Sequence, residues 1–130
     1  MAKRHKVLVS DKISQRAVET LQKSNIDFDY KPDCGTSKTL KEVIGSYSGL
    51  IIRSASKVSR DVINRGKNLQ VIGRAGIGVD NIDLKAASSK GIVVMNTPHG
   101  NAITTAEHTL AMIFAICRQI HAADHSTQQR

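Results

Sequence analysis

Segments with a strand-like apolar pattern, short runs of Val, Ile and Leu or strict alternation, recur along the chain at nearly even intervals, beginning near residues 7, 26, 49, 70 and 92. A repeat of about 20 residues holds one strand, one short helix and two tight connections, and little else. That restricts the chain to alternating β and α elements, which assemble into a parallel sheet wrapped by helices. Val7-Leu8-Val9 reads as the first strand, and Ile13, Ala17, Val18 and Leu21 then share one helical face. Ile26-Asp27-Phe28-Asp29-Tyr30 alternates as a half-exposed edge strand does. Leu40, Val43, Ile44 and Tyr47 mark a second helix, and Gly49-Leu50-Ile51-Ile52 a buried strand. Ser59 can cap a short helix carrying Val62 and Ile63. Val71-Ile72 is the fourth strand; Asp80 or Asp83 then opens a helix with Ala86 and Ala87 that Gly91 stops. Ile92-Val93-Val94-Met95 is the fifth strand. The expected fold is α/β, a flavodoxin-like doubly wound parallel sheet of five strands. With two Phe, two Tyr and no Trp, its core is built from Val, Ile, Leu and Ala, as suits a sheet covered on both faces.

The segment beyond the fifth strand has a different pattern. From Asn101 onward there is no Gly and no Pro. Ile103, Ala106, Leu110, Ile113, Cys117 and Ile120 form one apolar stripe, while Ala111, Met112, Phe114, Ala115 and Ile116 fill the other faces. A helix that is apolar all round is buried all round. One five-stranded domain covers only one side of it, so a long helix over residues 104–120 is expected to meet another domain or another chain. Thr104 with Glu107 fits a capping box, and Asn101 is a competing cap. The polar residues 122–130 are expected to fray.

The formal net charge of +8 favours an anionic partner. The basic residues are scattered and stacking aromatics are scarce, which argues against nucleic acid. No apolar run approaches the ~20 residues of a membrane span. Lys3, Arg4 and Lys6 precede an apolar stretch too short for a signal-peptide core. Cys34 and Cys117 are remote from each other and belong to no paired motif, so a cytoplasmic, reducing setting is expected.

Three stretches at strand carboxyl ends are candidate sites, because open α/β sheets bind ligands there. Arg53-Ser54 follows the third strand, and Arg offers a planar fork that matches carboxylate or phosphate. Gly73-Arg74-Ala75-Gly76-Ile77-Gly78-Val79-Asp80 follows the fourth. It lacks the G-x-G-x-x-G spacing of a dinucleotide fingerprint. It is either a tight turn or a loop whose N–H groups face an anion, with Arg74 beside them. Asn96-Thr97-Pro98-His99-Gly100-Asn101 follows the fifth strand, where Asn101 can donate to a ligand or cap the helix, and His99 is an acid/base candidate or inert. His121 and His125 have a metal-compatible spacing but no third ligand, so no metal site is expected. Asp11 follows the first strand as in response-regulator receivers, but Arg53 stands where a receiver needs Asp.

Taken in order, Ile52-Arg53-Ser54-Ala55-Ser56-Lys57-Val58, the stretch from Val71 through Gly73-Arg74-Ala75-Gly76-Ile77-Gly78 to Asp83, and Val94-Met95-Asn96-Thr97-Pro98-His99-Gly100-Asn101 resemble the D-isomer-specific 2-hydroxyacid dehydrogenases. The resemblance is to the N-terminal, substrate-binding part of members acting on 3-phosphoglycerate, and runs from about Val7 to the end of the chain. It implies a discontinuous flavodoxin-like substrate domain with a Rossmann NAD domain inserted in it. The reaction implied is NAD-dependent oxidation of 3-phosphoglycerate to 3-phosphohydroxypyruvate, the first step of serine synthesis. By this resemblance Arg53, Ser54 and Asn101 contact the substrate, Arg74 its phosphate, and the backbone at Gly76 and Ile77 its carboxylate. Ile77 and Thr105 would touch the nicotinamide end of NAD. The organisation implied is a substrate-binding part over 1–100, a linking helix over 101–125 and a tail over 126–130. A homodimer through the 104–120 helix is implied as well. The family's nucleotide fingerprint and its catalytic Arg, Glu and His fall after residue 130, so no catalytic residue and no activity are expected of this chain. The competing expectation is a stand-alone module that binds a small anion or a protein.

Overall fold

The computed structural model describes residues 5–129. The chain forms two compact units, one through Pro98 and one from His99. In the first, five strands, β1 (Val7–Val9), β2 (Phe28–Tyr30), β3 (Gly49–Ile52), β4 (Val71–Arg74) and β5 (Val93–Asn96), make one sheet in the order β2-β1-β3-β4-β5. Every pairing is parallel. The helices between them are α1 (Gln15–Lys23), α2 (Ser37–Val43) with a 3-10 turn at Ile44–Ser46, α3 (Arg60–Arg65) and α4 (Leu84–Ser89). This is the flavodoxin strand order expected from the spacing of the apolar runs.

Local chemistry sets the helix starts. Ser14 and Thr36 accept from the N–H groups of Ala17 and Thr39 at the heads of α1 and α2. Asp83, one of the two expected caps of α4, accepts from Ala86 N–H at 2.9 Å. Ser59 occupies the N-cap position of α3 without a side-chain cap bond. Two boundaries differ from expectation. The edge strand β2 begins at Phe28, leaving Ile26 exposed, and β4 continues through Gly73 to Arg74.

Because side chains alternate along a strand, Leu8, Leu50, Ile52 and Ile72 share one sheet face. They are buried with Leu40 of α2, Ile44 of the 3-10 turn, Val58 in the connection before α3, Val62 and Ile63 of α3, and Ala86 and Ala87 of α4. The opposite face departs from the expected two-sided cover. No residue of α1 is fully buried, and Val93 and Met95 of β5 are 57% and 58% exposed. A groove of about 590 Å³, lined by Ile13, Ala17, Leu21, Ile51, Arg53 and Ala75 among others, runs along that face.

The second unit is helical. The expected single helix is two: α5 (Ala102–Cys117) and α6 (Ile120–Gln128). Gln119, at φ 49°, takes the left-handed conformation between them. One such residue ends the i to i−4 ladder, and here no Gly or Pro announces it. The stretch expected to fray is helical as far as Gln128; Arg130, the end of the expected tail, lies outside the described residues. The expected Thr104–Glu107 capping box is not formed. The N-cap is Asn101, whose carbonyl accepts from Thr105 N–H at 2.9 Å, so Thr104 already lies inside the helix. Along α5, Ile103, Leu110, Met112, Ile113, Phe114 and Ile116 are all between 47% and 76% exposed. Among the described residues no helix is long and apolar enough to cross a membrane.

Candidate functional site

The register of the central strands places Ile52 beside Arg74 and Arg74 beside Asn96. The loops that follow β3, β4 and β5 therefore leave the sheet side by side at its carboxyl edge. Arg53, Ser54, Arg74, Gly76 and Ile77 are brought together on this edge, though they span two separate stretches of sequence. Asn101 and Thr105 belong to the second unit. Asn101 stands at the N-cap position of α5 without a side-chain cap bond, and Thr105 lies one turn in, its carbonyl accepting from Thr109 Oγ1 at 2.8 Å.

The Arg53 loop is tightly held. The first residue after β1, Ser10, and its neighbour Asp11 are both buried, at 0% and 2% exposure. One Asp11 carboxylate oxygen accepts from Arg53 N–H at 2.5 Å and from Ser56 N–H at 3.1 Å; the other accepts from Ser56 Oγ at 2.6 Å. Ser56 Oγ also meets Ser10 Oγ at 2.8 Å. From the other side Asn81 Nδ2 donates to the carbonyls of Arg53 and Ser56 at 2.7 and 2.8 Å. Arg53 itself is exposed, and its guanidinium donates once, to Lys12 O at 3.0 Å. The remaining N–H groups of that fork suit a carboxylate or phosphate oxygen.

The glycine loop after β4 folds around its own arginine. Arg74 Nη1 donates to Gly78 O, and a Cβ at Gly76 would sit 3.3 Å from the same nitrogen. Arg74 is half-buried, and its Nε is buried without a hydrogen-bond partner. Its fork is thus partly engaged within its loop, which leaves Arg53 as the freer cation of the two. Asn96 Nδ2 donates to Ile77 O at 2.7 Å and Thr97 N–H to Gly76 O at 3.0 Å, so the β5 end braces the loop. Ile77 keeps 41% of its surface open. The loop does not run directly into a helix: residues 79–82 intervene before α4, which is six residues long. A dinucleotide pyrophosphate needs glycine N–H groups set at a helix start, and the β4 loop does not have that form.

His99 is exposed in the second unit. His121 and His125 lie on α6, and His125 Nε2 is 3.3 Å from Gln129 Nε2. Among the described residues there is no group of three potential metal ligands.

The groups with shifted titration lie away from this edge. Lys6, 2.8 Å from Asp29 and hydrogen-bonded to it, holds that carboxyl below its usual range, and Tyr47 Oη adds a bond at 2.5 Å. Burial pushes the Tyr47 hydroxyl up, and its bond to Asp29 pushes the same way. These groups tie the edge strand β2 to β1 and to the turn before β3. At the surface, Lys41 holds Asp61 low through a 2.8 Å bond.

Sequence pattern does not single out Asn81, and it offers Asp11 only as a receiver-type acid, since nothing local links it to a turn 42 residues on.

The chain matches a known family over residues 7–130, described as D-isomer specific 2-hydroxyacid dehydrogenase, catalytic domain. It is 44% identical over 124 residues to D-3-phosphoglycerate dehydrogenase of Archaeoglobus fulgidus, an alignment covering 95% of this chain and 23% of that protein. It is 48% identical over 121 residues to D-3-phosphoglycerate dehydrogenase of Sus scrofa, covering 93% of this chain and 22% of that protein. Among solved structures, NAD+-bound 3-phosphoglycerate dehydrogenase of Entamoeba histolytica superposes with a TM-score of 0.73 at 31% identity, over 87% of this chain and 39% of the other. The chain thus spans under a quarter of the length of these curated relatives.

Proposed function

The chain belongs to the D-isomer specific 2-hydroxyacid dehydrogenases, by their catalytic domain, and from that premise we propose that it supplies the substrate-binding side of an NAD-dependent enzyme oxidising 3-phosphoglycerate to 3-phosphohydroxypyruvate. The observation that carries the reading is the meeting of Arg53-Ser54 and the Gly76-Ile77 loop at adjacent strand ends. A phosphorylated hydroxy acid carries two anionic groups, and this edge offers the N–H groups of the Arg53 fork that are not bonded to Lys12 O, and the N–H of Ile77 in a loop braced through its carbonyls. Arg53 and Ser54 hold the substrate from the β3 side, the backbone at Gly76 and Ile77 takes its carboxylate, with Gly76 N–H turning to it from Arg74 O, which it meets at 2.9 Å here, and Arg74 adds positive charge behind them.

NAD, when bound, accepts the hydride from C2 of the substrate. The residues here fit its nicotinamide end: Ile77 presents an open apolar side chain, and among the described residues no glycine loop opens a helix as a pyrophosphate cradle requires. The chain's own task is to bind and orient. A substrate gripped at carboxylate and phosphate keeps C2 in a fixed attitude, and orientation of that kind lowers the barrier to a bimolecular transfer. The proton acceptor for the C2 hydroxyl and the pyrophosphate site belong to a part of the enzyme outside these residues, and the chain alone is inactive. The 104–120 segment makes the homodimer contact, its exposed apolar side chains being the supporting observation.

Arg53 is the direct test. Arg53→Ala weakens 3-phosphoglycerate binding about 10- to 150-fold, the worth of a charge-assisted contact of about 1.5–3 kcal/mol. Arg53→Lys recovers only part of it, since Lys lacks the planar fork. Calorimetric titration of the three proteins decides, and equal affinities would remove Arg53 from the site.

A further inference from the structure

We propose that Asp11 and Asn81 are a matched pair of positioning residues that set the Arg53-Ser54 turn for its anionic ligand, an inference that rests on the substrate-site reading above. Asp11 takes the N–H groups of Arg53 and Ser56; Asn81 takes the carbonyls of the same two residues. Each polar backbone group at the two ends of the turn therefore has a partner of opposite sense, one reaching from β1 and one from the β4–α4 connection. A loop residue carrying a binding side chain is otherwise the most mobile kind of position. Holding it on both sides fixes where the Arg53 side chain begins and directs the Ser54 segment between the two clamps.

The arrangement has little slack. Asp11 and Ser56 are 2% and 0% exposed. A Cβ at Gly35 would lie 2.7 Å from Ser56 Oγ and 2.8 Å from the Asp11 carboxylate, so the backbone of residue 35 closes directly over the network. Asp11 serves no core packing, and a buried carboxylate with neutral partners is a costly way to close a turn. Its placement is explained if the turn must be held in one shape. The roles also set which substitutions are tolerated. Asp11→Asn keeps an oxygen for the two N–H groups, and Ser56 Oγ can accept from the new amide. Asn81→Asp keeps the shape but turns a donor to two carbonyls into an acceptor.

The test is a titration of the isotope-labelled chain with 3-phosphoglycerate, followed by amide chemical shifts, which also report whether each variant is folded. Asp11→Ala and Asn81→Asp are expected to bind about tenfold more weakly, and Asp11→Asn within about threefold of the parent chain. Adding Asp11→Ala or Asn81→Asp to Arg53→Ala should cost clearly less than either costs the parent chain, because most of the effect passes through Arg53 and only the Ser54 part remains; a merely structural role would give additive losses instead. If Asp11→Ala does not fold, the Asn81→Asp and Asp11→Asn results decide. A folded Asn81→Asp chain that binds like the parent, beside a weakened Arg53→Ala chain, overturns this inference alone. An Arg53→Ala chain that binds like the parent, or a parent chain showing no saturable shift, overturns the site reading and the inference with it.

Discussion

Helix α5 should drive self-association of this chain, and the size of the effect can be worked from exposure. Ile103, Leu110, Ile113 and Phe114 fall within one broad face by helical periodicity and are 76%, 56%, 49% and 61% exposed. Full burial of a large apolar side chain contributes about 1.5–3 kcal/mol, so the area still open on each is worth about 1–2 kcal/mol. Across a symmetric pair the eight side chains supply on the order of 8–16 kcal/mol. Loss of rigid-body freedom takes back an estimated ~4–15 kcal/mol. Taking about 12 kcal/mol for the gain and about 6.5 kcal/mol for the cost, from the lower part of its range, the surplus is about 5.5 kcal/mol, a dissociation constant on the order of 100 µM. Sedimentation velocity from about 10 to about 500 µM, a range bracketing that constant, should show a monomer passing to a dimer. Leu110→Lys with Phe114→Lys removes half the apolar contribution and sets like charges against each other, so that protein should stay monomeric throughout. A parent chain monomeric over the whole range, or a double variant that associates as the parent does, would refute the reasoning.

Two further outcomes are expected. The chain incubated with NAD and 3-phosphoglycerate should form no NADH, since the proposed reading puts the pyrophosphate cradle and the acceptor of the hydroxyl proton outside the described residues; a rise in NADH absorbance proportional to chain concentration would show otherwise. The Asp29 carboxyl is held low chiefly by its bond to Lys6; a lowered folded value means the unfolded chain binds the proton more readily, so the contribution is complete above the unfolded value and fades as pH falls through the folded one. The melting temperature should therefore drop below about pH 4 more steeply in the parent chain than in Asp29→Asn, and parallel profiles would show that Asp29 adds nothing.

The parallel fold was legible because β1, β3, β4 and β5 hold runs of β-branched and aliphatic residues, and the edge strand β2 alternates apolar with polar residues. Asp83 and Gly91 bound α4 where sequence placed them, and the even spacing left room for only one helix per crossover. The break at Gln119 was not legible, since a glutamine in the left-handed region carries no sequence signal. Nor was the open face of β5: Val93 and Met95 look like core residues in sequence, and their exposure depends on which elements lie over the sheet. The candidate site divides the same way. Arg53 and the glycine loop could be read from their position after strands. Asp11 and Asn81 could not, because their partners lie 42 to 45 and 25 to 28 residues away and are backbone groups, on which sequence pattern is silent.

The central claim is that the carboxyl edge of β3 and β4 binds a phosphorylated hydroxy acid. It is tested most directly by mapping the amide shifts of the labelled chain as 3-phosphoglycerate is added, with inorganic phosphate as a parallel titration. The account predicts saturable shifts centred on Arg53, Ser54, Gly76 and Ile77, and tighter binding of 3-phosphoglycerate than of phosphate because two anionic groups are gripped at once. Shifts centred elsewhere, or equal affinity for the two ligands, would contradict it.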